Sequence, residues 1–380
     1  MTVSEIRHNS EALKSEHSQV KKGFNTFFGS RGYQVLPSAP LIPDNDTTVV
    51  FTGATITPLK HFLSEGVPSP GVAMVQNCLR TKRLEQMYDM ELIPEWTHYF
   101  TMLGVLAAPD QKVAVAANAM DYIVNHLHIP KERVRVLASK EDGDLTNPWK
   151  EEGFVIEEDT QPMESYRWKY GSENTVGRGI SFEIQNGSLP SRELGNIISI
   201  ESPDGEIKGY EFGLGLESYL ASKHGAKKPM EVSLISAIVP FEEGVQEKIL
   251  NALAAAVVIA HDGIKPAGGG KARSVLQKLV KGLSYMLRKT ELSHDLIKDW
   301  ANQYEVVEFG GVGVVGNDIV DWVTTYNMKI EQFIAHSTNQ VYAKKKRNED
   351  LSKLPAKLKA YGESIGIAQE DLAEILPMII

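Results

Sequence analysis

The segment Tyr210–Leu220 constrains the fold more than any other part of the chain. A short strand-like run passes through Gly213-Leu214-Gly215 and enters the helix-forming Leu216-Glu217-Ser218-Tyr219-Leu220 without an intervening loop. Glycines at such a junction let a backbone or a ligand approach closely, although the junction itself requires no ligand. Strand-like segments precede it at Tyr33–Leu36, Thr48–Thr52, Gly71–Leu79, Thr97–Leu106, Val134–Ala138, Phe182–Ile184, Gly195–Ile200 and Glu206–Phe212. Most are joined by turn chemistry, such as Ser202-Pro203-Asp204-Gly205, which favours an antiparallel sheet over a parallel doubly wound one. Ala114–Leu127 predicts a helix. Residues 1–30 read as a polar helical arm with one apolar edge, Phe24, Phe27 and Phe28.

From about Pro240 the texture becomes helical. Gln246–Ile259, Ser274–Arg288 and Asp318–Ala343 carry helical periodicity, and Lys265–Lys271 is a glycine-rich loop between the first two. A Lys344–Arg347 cluster and a final helical segment follow. The expected fold is α+β: an antiparallel sheet flanked by helices over 1–238, then an all-helical domain over 239–380. The aliphatic end, Ile375–Ile380, offers a surface for burial against a partner.

Composition narrows the function classes. The 380 residues are 42% hydrophobic with a formal net charge of −9, so nucleic acid would need a local basic surface. No DNA partner is expected. Cys78 is the only cysteine, which excludes a disulfide framework and a cysteine zinc site. No secretory or membrane-spanning run is present, and a cytoplasmic location is expected. His126 and His128, one residue apart, fall on different helix faces, so no metal site is expected there. His261-Asp262 reads as a helix-terminus feature.

Several ordered blocks resemble alanyl-tRNA synthetase, a class II aminoacyl-tRNA synthetase. Gly32–Val35 through Pro43–Thr52 is similar to the family's first motif. Gln76-Asn77-Cys78-Leu79-Arg80 and Tyr99–Gly104 resemble its second. Trp168-Lys169-Tyr170-Gly171 with Phe182-Glu183-Ile184, then Glu193–Ile198, match two further blocks, and Tyr210–Leu220 the third motif. The likeness runs in order over roughly residues 20–375, with Ile259–Pro266 and Val275-Leu276 resembling the tRNA-recognition helices.

The resemblance implies a role for each matching residue. Arg80 is the catalytic and ATP-binding arginine, bridging carboxylate and α-phosphate; residue type alone also fits a salt bridge. Glu211 and Asn196 would hold the substrate ammonium, Glu211 matching an aspartate, while a solvated strand carboxylate is the plain alternative. Trp168, Ile198 and Gly213 would shape a small amino-acid pocket, although Trp168 fits a core position as well. Tyr99, Met102 and Gly215 would line the ATP site, with Tyr99 stacking on a purine. Lys271, Arg273, Lys278 and Lys281, with Arg288, offer a basic face for RNA or an ordinary solvated one.

The departures cluster. Ser218 stands where the third motif has an arginine, Glu95 where the second-motif loop has another, and Thr101 where a glutamate helps recognise adenine. Val105 replaces an asparagine. Two absent cations remove several kcal/mol of phosphate binding, at roughly 1.5–3 kcal/mol per charged hydrogen bond. Lys82, Arg83 or Arg178 are the candidate replacements. Gly268 occupies the position of an RNA-reading asparagine, and Gly195 that of a tryptophan. The family's editing and C-terminal modules have no counterpart in the chain, implying no proofreading metal and a monomer.

The implied function is ATP- and Mg2+-dependent activation of alanine or another small amino acid, with transfer to tRNA or a different acceptor. The alternative is a catalytically degenerate paralogue that binds an amino acid, RNA or a protein.

Overall fold

The computed structural model describes residues 10–43, 46, 48–170, 175–187, 189–239 and 243–380. Asp44, Asn45 and Thr47 of the first block, and Gly171 of the tryptophan block, lie outside them. By contact the chain divides into residues 1–80 with 95–241, and residues 81–94 with 242–380.

The first unit is built on a nine-stranded sheet. Its strands are β1 (Gln34–Leu36), β2 (Gly71–Leu79), β3 (Tyr99–Ala107), β4 (Val134–Ala138), β5 (Val155–Glu158), β6 (Arg167–Lys169), β7 (Val176–Asn186), β8 (Leu189–Glu201) and β9 (Ile207–Gly215). The spatial order is β1-β2-β3-β9-β8-β7-β4-β5, with β6 alongside β7. The antiparallel sheet read from the sequence holds from β2 through β4. The two outer pairs, β1 with β2 and β4 with β5, are parallel. β2 and β3 are apolar almost throughout because both their faces are covered.

Its principal helices are α1 (Ser10–Ser30), α2 (Lys112–Asp121), α3 (Gly143–Glu151) and α4 (Leu216–His224). The described part of the expected polar arm, α1, is a core helix. Leu13, His17, Phe24, Phe27 and Phe28 recur at helical spacing and are buried. The three phenylalanines contact Tyr122, and Phe28 also reaches Tyr33 and Phe212 of β9. His17 bonds the Val232 carbonyl at 2.9 Å, and burial holds its pKa down at about 3, so it is neutral. The strand expected at Thr48–Thr52 does not form. Among the described residues the ladder-like links there are Thr52 N–H to Leu41 O at 2.7 Å and Leu79 N–H to Thr52 O at 2.9 Å. Pro37, Pro40 and Pro43 withhold donors from the adjacent chain.

The second unit contains α5 (Val245–His261), α6 (Lys271–Arg288), α7 (His294–Phe309), α8 (Val315–Lys346), α9 (Leu354–Ser364) and α10 (Gln369–Ile379). The segment 81–94 is tied to it by the buried Lys248, which donates to the carbonyls of Gln86 and Asp89. Met87 fits against Gly282, where a Cβ would stand 2.5 Å from its Cε. Tyr326, Ile330 and Phe333 of α8 meet Leu358 of α9 and Leu372 and Ile375 of α10. Part of the aliphatic C-terminus is therefore spent inside this core, leaving Met378 and Ile380 exposed.

Asp371, 1% exposed at its side chain, accepts from Tyr326 O–H at 2.7 Å and from Arg288. Replacing Arg288 by leucine strands that carboxylate. We expect a loss of about 2–3 kcal/mol in urea unfolding, below the 3–5 of a fully buried pair because Arg288 keeps some solvent access. Arg288→Leu/Asp371→Asn should recover much of it.

Candidate active site

Strand alternation puts Glu211, Gly213 and Gly215 of β9 on one face of the sheet, opposite Phe212 and Leu214. The register brings Leu106, Gly104 and Met102 of β3, and Ile198 and Asn196 of β8, to the same face. The glycines make a low floor there.

Arg80, one residue beyond β2, stands over this floor and is exposed. Its Nε donates to the Gly53 carbonyl at 2.8 Å, and Nη2 approaches Met102 Sδ at 3.8 Å. The guanidinium carbon lies 4.9 Å from the centroid of the Phe100 ring. Among the described residues no carboxylate forms an ion pair with it. Met102 Cε lies 3.0 Å, and Asn196 Oδ1 3.5 Å, from the place a Cβ on Gly213 would take. Arg80, Met102, Gly213 and Asn196 thus form one continuous row. At its end the half-buried Ser218 folds back on Gly215, its Oγ 3.3 Å from the glycine's Cβ position.

Glu211 lies further along the same face and is 4% exposed. Tyr170 O–H donates to its Oε2 at 3.0 Å, and the Ile56 backbone N–H also bonds the carboxylate. Desolvation raises its pKa from 4.5 to about 7, against the pull of Tyr170, Arg80 and the Ile56 amide. Glu211 is not the solvated strand carboxylate that residue type alone allows. Around it Ile56, Leu106, Ile198 and Tyr170 form an apolar layer, with Trp168 packed against it partly buried. Trp168 pairs with Gly177, whose Cβ position lies 2.7 Å from Ile198 Cγ2, 2.9 Å from Tyr170 Cε2 and 3.1 Å from Trp168 Cβ. Only glycine lets these three side chains converge.

The structure brings Arg80, Met102, Trp168, Asn196, Ile198, Glu211, Gly213 and Gly215 to one face. Tyr99 is not with them. In a strand without a bulge it alternates with Phe100 and falls on the opposite face, as does Thr101. The aromatic side chain beside Arg80 is Phe100, and counting by twos from Met102 would have found it. Thr101 contributes its amide instead, which donates to both oxygens of the buried Glu217 at 2.9 and 3.2 Å where the β3–β9 ladder ends. Gly195 serves the backbone rather than the pocket: a Cβ there would sit 2.0 Å from Gly213 O. Tyr170 lies inside the Trp168–Gly171 block, but the resemblance gives it no role there, and Thr55, seated on Gly104 with its Oγ1 2.1 Å from that glycine's Cβ position, lies outside every block.

Residues 19–191 match the family of tRNA synthetases, class II (A). An alanine–tRNA ligase from Desulforamulus reducens is 27% identical over 250 residues, covering 59% of this chain and 28% of that protein. One from Endomicrobium trichonymphae is 24% identical over 332 residues, covering 76% of this chain and 38% of that protein. One from Desulfitobacterium hafniense is 30% identical over 168 residues, covering 43% and 18%. The chain is thus similar to the class II tRNA synthetases over residues 19–191, and over longer stretches to the alanine–tRNA ligases. It spans at most 38% of the length of these three relatives.

Of the three candidate replacements for the cation absent at Ser218, Arg178 is engaged elsewhere. Arg178 lies on the opposite sheet face from Gly177 and pairs with Asp144 and Glu201, both at 2.7 Å, and with Asp142 at 3.4 Å. Lys82 and Arg83 are exposed on the segment that packs with the helical unit. The charge of Glu95 is felt by Arg192.

The basic helix of the second unit is α6. At 100° per residue Lys271, Lys278 and Lys281 share a side, while Arg273 falls on another. Arg273 donates to Gly269 O at 3.0 Å, within its own loop. Lys281 is half-buried, its Nζ 5.8 Å from the Tyr326 ring centroid, and burial lowers its pKa. Arg288 is committed to Asp371. The basic face is therefore narrower than the sequence suggests.

Glu211 makes a pH prediction. Its folded pKa of about 7 lies above its ordinary 4.5, so the native state binds the proton more tightly than the unfolded chain. The contribution is full below about pH 4.5 and is lost as pH rises through about 7. Denaturant unfolding across that window should show stability falling with pH, and Glu211→Gln should flatten the slope. An unchanged slope in the variant would contradict the assignment.

Proposed function

We propose that the sheet face carrying Arg80, Asn196 and Glu211 binds a small amino acid and activates it with ATP. The observation that carries this reading is the row Arg80–Met102–Gly213–Asn196, with Glu211 on the same strand and face as Gly213. An exposed guanidinium with no ion pair among the described residues is suited to a substrate carboxylate and an α-phosphate together. The Phe100 ring offers a stacking surface for a purine beside it. A carboxylate and an amide further along provide acceptors for an ammonium group. Trp168 and Ile198 would wall the side-chain pocket, and with the resemblance to the alanine enzymes this favours alanine or an amino acid of similar size.

Activation then proceeds by attack of a carboxylate oxygen on the α-phosphorus, with cleavage of the bond to pyrophosphate. Arg80 would neutralise charge on both groups and hold them in line, the main contribution a protein makes to this chemistry. Among the described residues no group of three histidine, cysteine or carboxylate side chains is placed to hold a metal. Mg2+ would accordingly arrive on the triphosphate, where it neutralises charge while keeping several waters. The acceptor is tRNA, as the names of the relatives suggest, or another nucleophile. The first unit is the proposed catalytic domain, and α6 of the second the proposed RNA-facing element, through Lys271 and Lys278.

Ser218 favours a second reading, a non-catalytic factor that keeps the amino-acid end of the site. Amino-acid-dependent ATP–pyrophosphate exchange separates the two. We expect exchange with alanine or another small amino acid, reduced about 100-fold in Arg80→Ala, the scale of losing one transition-state ligand. No exchange with any amino acid, together with measurable amino-acid or RNA binding, would support the second reading. Ser218→Arg should tighten ATP binding about tenfold if one charged hydrogen bond is regained. Unchanged affinity would count against a nucleotide site at Gly215.

A further inference from the structure

The Glu211 carboxylate is a deeply buried ionisable group on the site face, 4% exposed, and it is held from two directions. Tyr170, 7% exposed, lies just beyond β6, where the pairing of Trp168 with Gly177 delivers its ring onto the sheet. Its hydroxyl sits 3.0 Å from Glu211 Oε2. The chain at Ile56 supplies the second donor, and three residues earlier Gly53 anchors Arg80. One short segment thus links both ends of the proposed substrate. An ionised carboxylate has about four acceptor positions, so two donors leave room for an ammonium group.

We propose that Tyr170 is a positioning residue for amino-acid recognition: its hydroxyl keeps the Glu211 carboxylate turned along the sheet and ready to receive a substrate ammonium. The inference rests on the amino-acid reading given above and assigns a residue that acts through Glu211. Tyr170 need not touch the amino acid. It also packs among Ile56, Leu106 and Ile198, so a purely structural role is the competing explanation.

Protonation distinguishes the two roles. The groups that face Glu211 electrostatically are Tyr170, Arg80 at the end of β2 and the buried Cys78 on β2. Neighbouring β3 and β8 present Leu106 and Ile198 at the paired positions. The Tyr170 hydrogen bond favours the charged carboxylate and opposes the effect of burial. Removing the hydroxyl while keeping the ring should therefore push Glu211 further toward its neutral form, which cannot accept an ammonium ion as an ion pair.

The experiment uses the full chain and L-alanine as the probe. The carboxyl 13C resonance of Glu211, assigned by its loss in Glu211→Gln, is titrated in the wild type and in Tyr170→Phe. L-alanine affinity is measured by calorimetry from about pH 5.5 to about pH 8.5 in both. We expect the carboxyl midpoint to rise by about one pH unit in Tyr170→Phe, the scale of one charge-assisted hydrogen bond. The pH at which alanine binding is half-maximal should rise with it, and the two proteins should converge at the alkaline end. Glu211→Asp, which withdraws the carboxylate from the hydroxyl, should weaken binding in the same pH-dependent way. An unmoved midpoint, or a loss of affinity by the same factor at every pH, would overturn the positioning role. If the wild type binds neither L-alanine nor glycine nor L-serine at any pH, the amino-acid reading fails and this inference with it. Normal wild-type binding with an unmoved midpoint removes only the role of Tyr170.

Discussion

The burial of the Glu211 carboxylate under the Gly53–Ile56 segment is the interaction on which the rest of the site depends. A carboxylate taken out of water must be hydrogen-bonded or protonated. Here it is held by a phenol and a backbone amide and sits near the balance point between its two forms. The surrounding glycines follow from the same demand. Gly104 gives way to Thr55, and Gly177 to Tyr170, Trp168 and Ile198, so that the covering layer can lie flat on the sheet. Arg80 is fixed from the other end of that segment, through Gly53. Arg80 and Glu211, the cation and anion of the proposed site, are thereby tied to one stretch of backbone.

The strands that build this floor were the most legible part of the chain. Gly71–Leu79 is apolar enough to demand burial, and the Gly213-x-Gly215 step marks the strand–helix junction wherever the rest of the protein goes. What escaped a local reading was set by tertiary packing. The phenylalanines of α1 look like an apolar edge until Tyr122 and Phe212 are seen to converge on them. Thr48–Thr52 has strand-forming residues but no partner strand to receive them. The site was missed in detail for a different reason. Tyr99 and Phe100 are both aromatic, and only the phase of β3 decides which one stands beside Arg80. Tyr170 acts across 41 residues of sequence, a distance at which spacing carries no information.

The two ends of the proposed site are unequal. The amino-acid end retains an acid, an amide and an aromatic wall, brought together on one face. At the nucleotide end Arg80 and Phe100 remain, while Ser218 presents a hydroxyl and Arg178 is paired with three carboxylates on the far side of the sheet. On α6, the inward turn of Lys281 and the pairing of Arg288 with Asp371 leave Lys271 and Lys278 as its most available cations. On the proposed reading, this pattern suits a site whose grip on phosphate is weaker than its grip on the amino acid.

The central claim is that the two ends still form one site joined through Arg80. It is tested most directly by calorimetric titration with alanyl-sulfamoyl adenosine, a stable mimic of the adenylate. We expect saturable one-to-one binding by the wild type and a loss of that binding in Arg80→Ala. Wild-type binding that Arg80→Ala leaves unchanged, or no binding by the wild type at all, would contradict it.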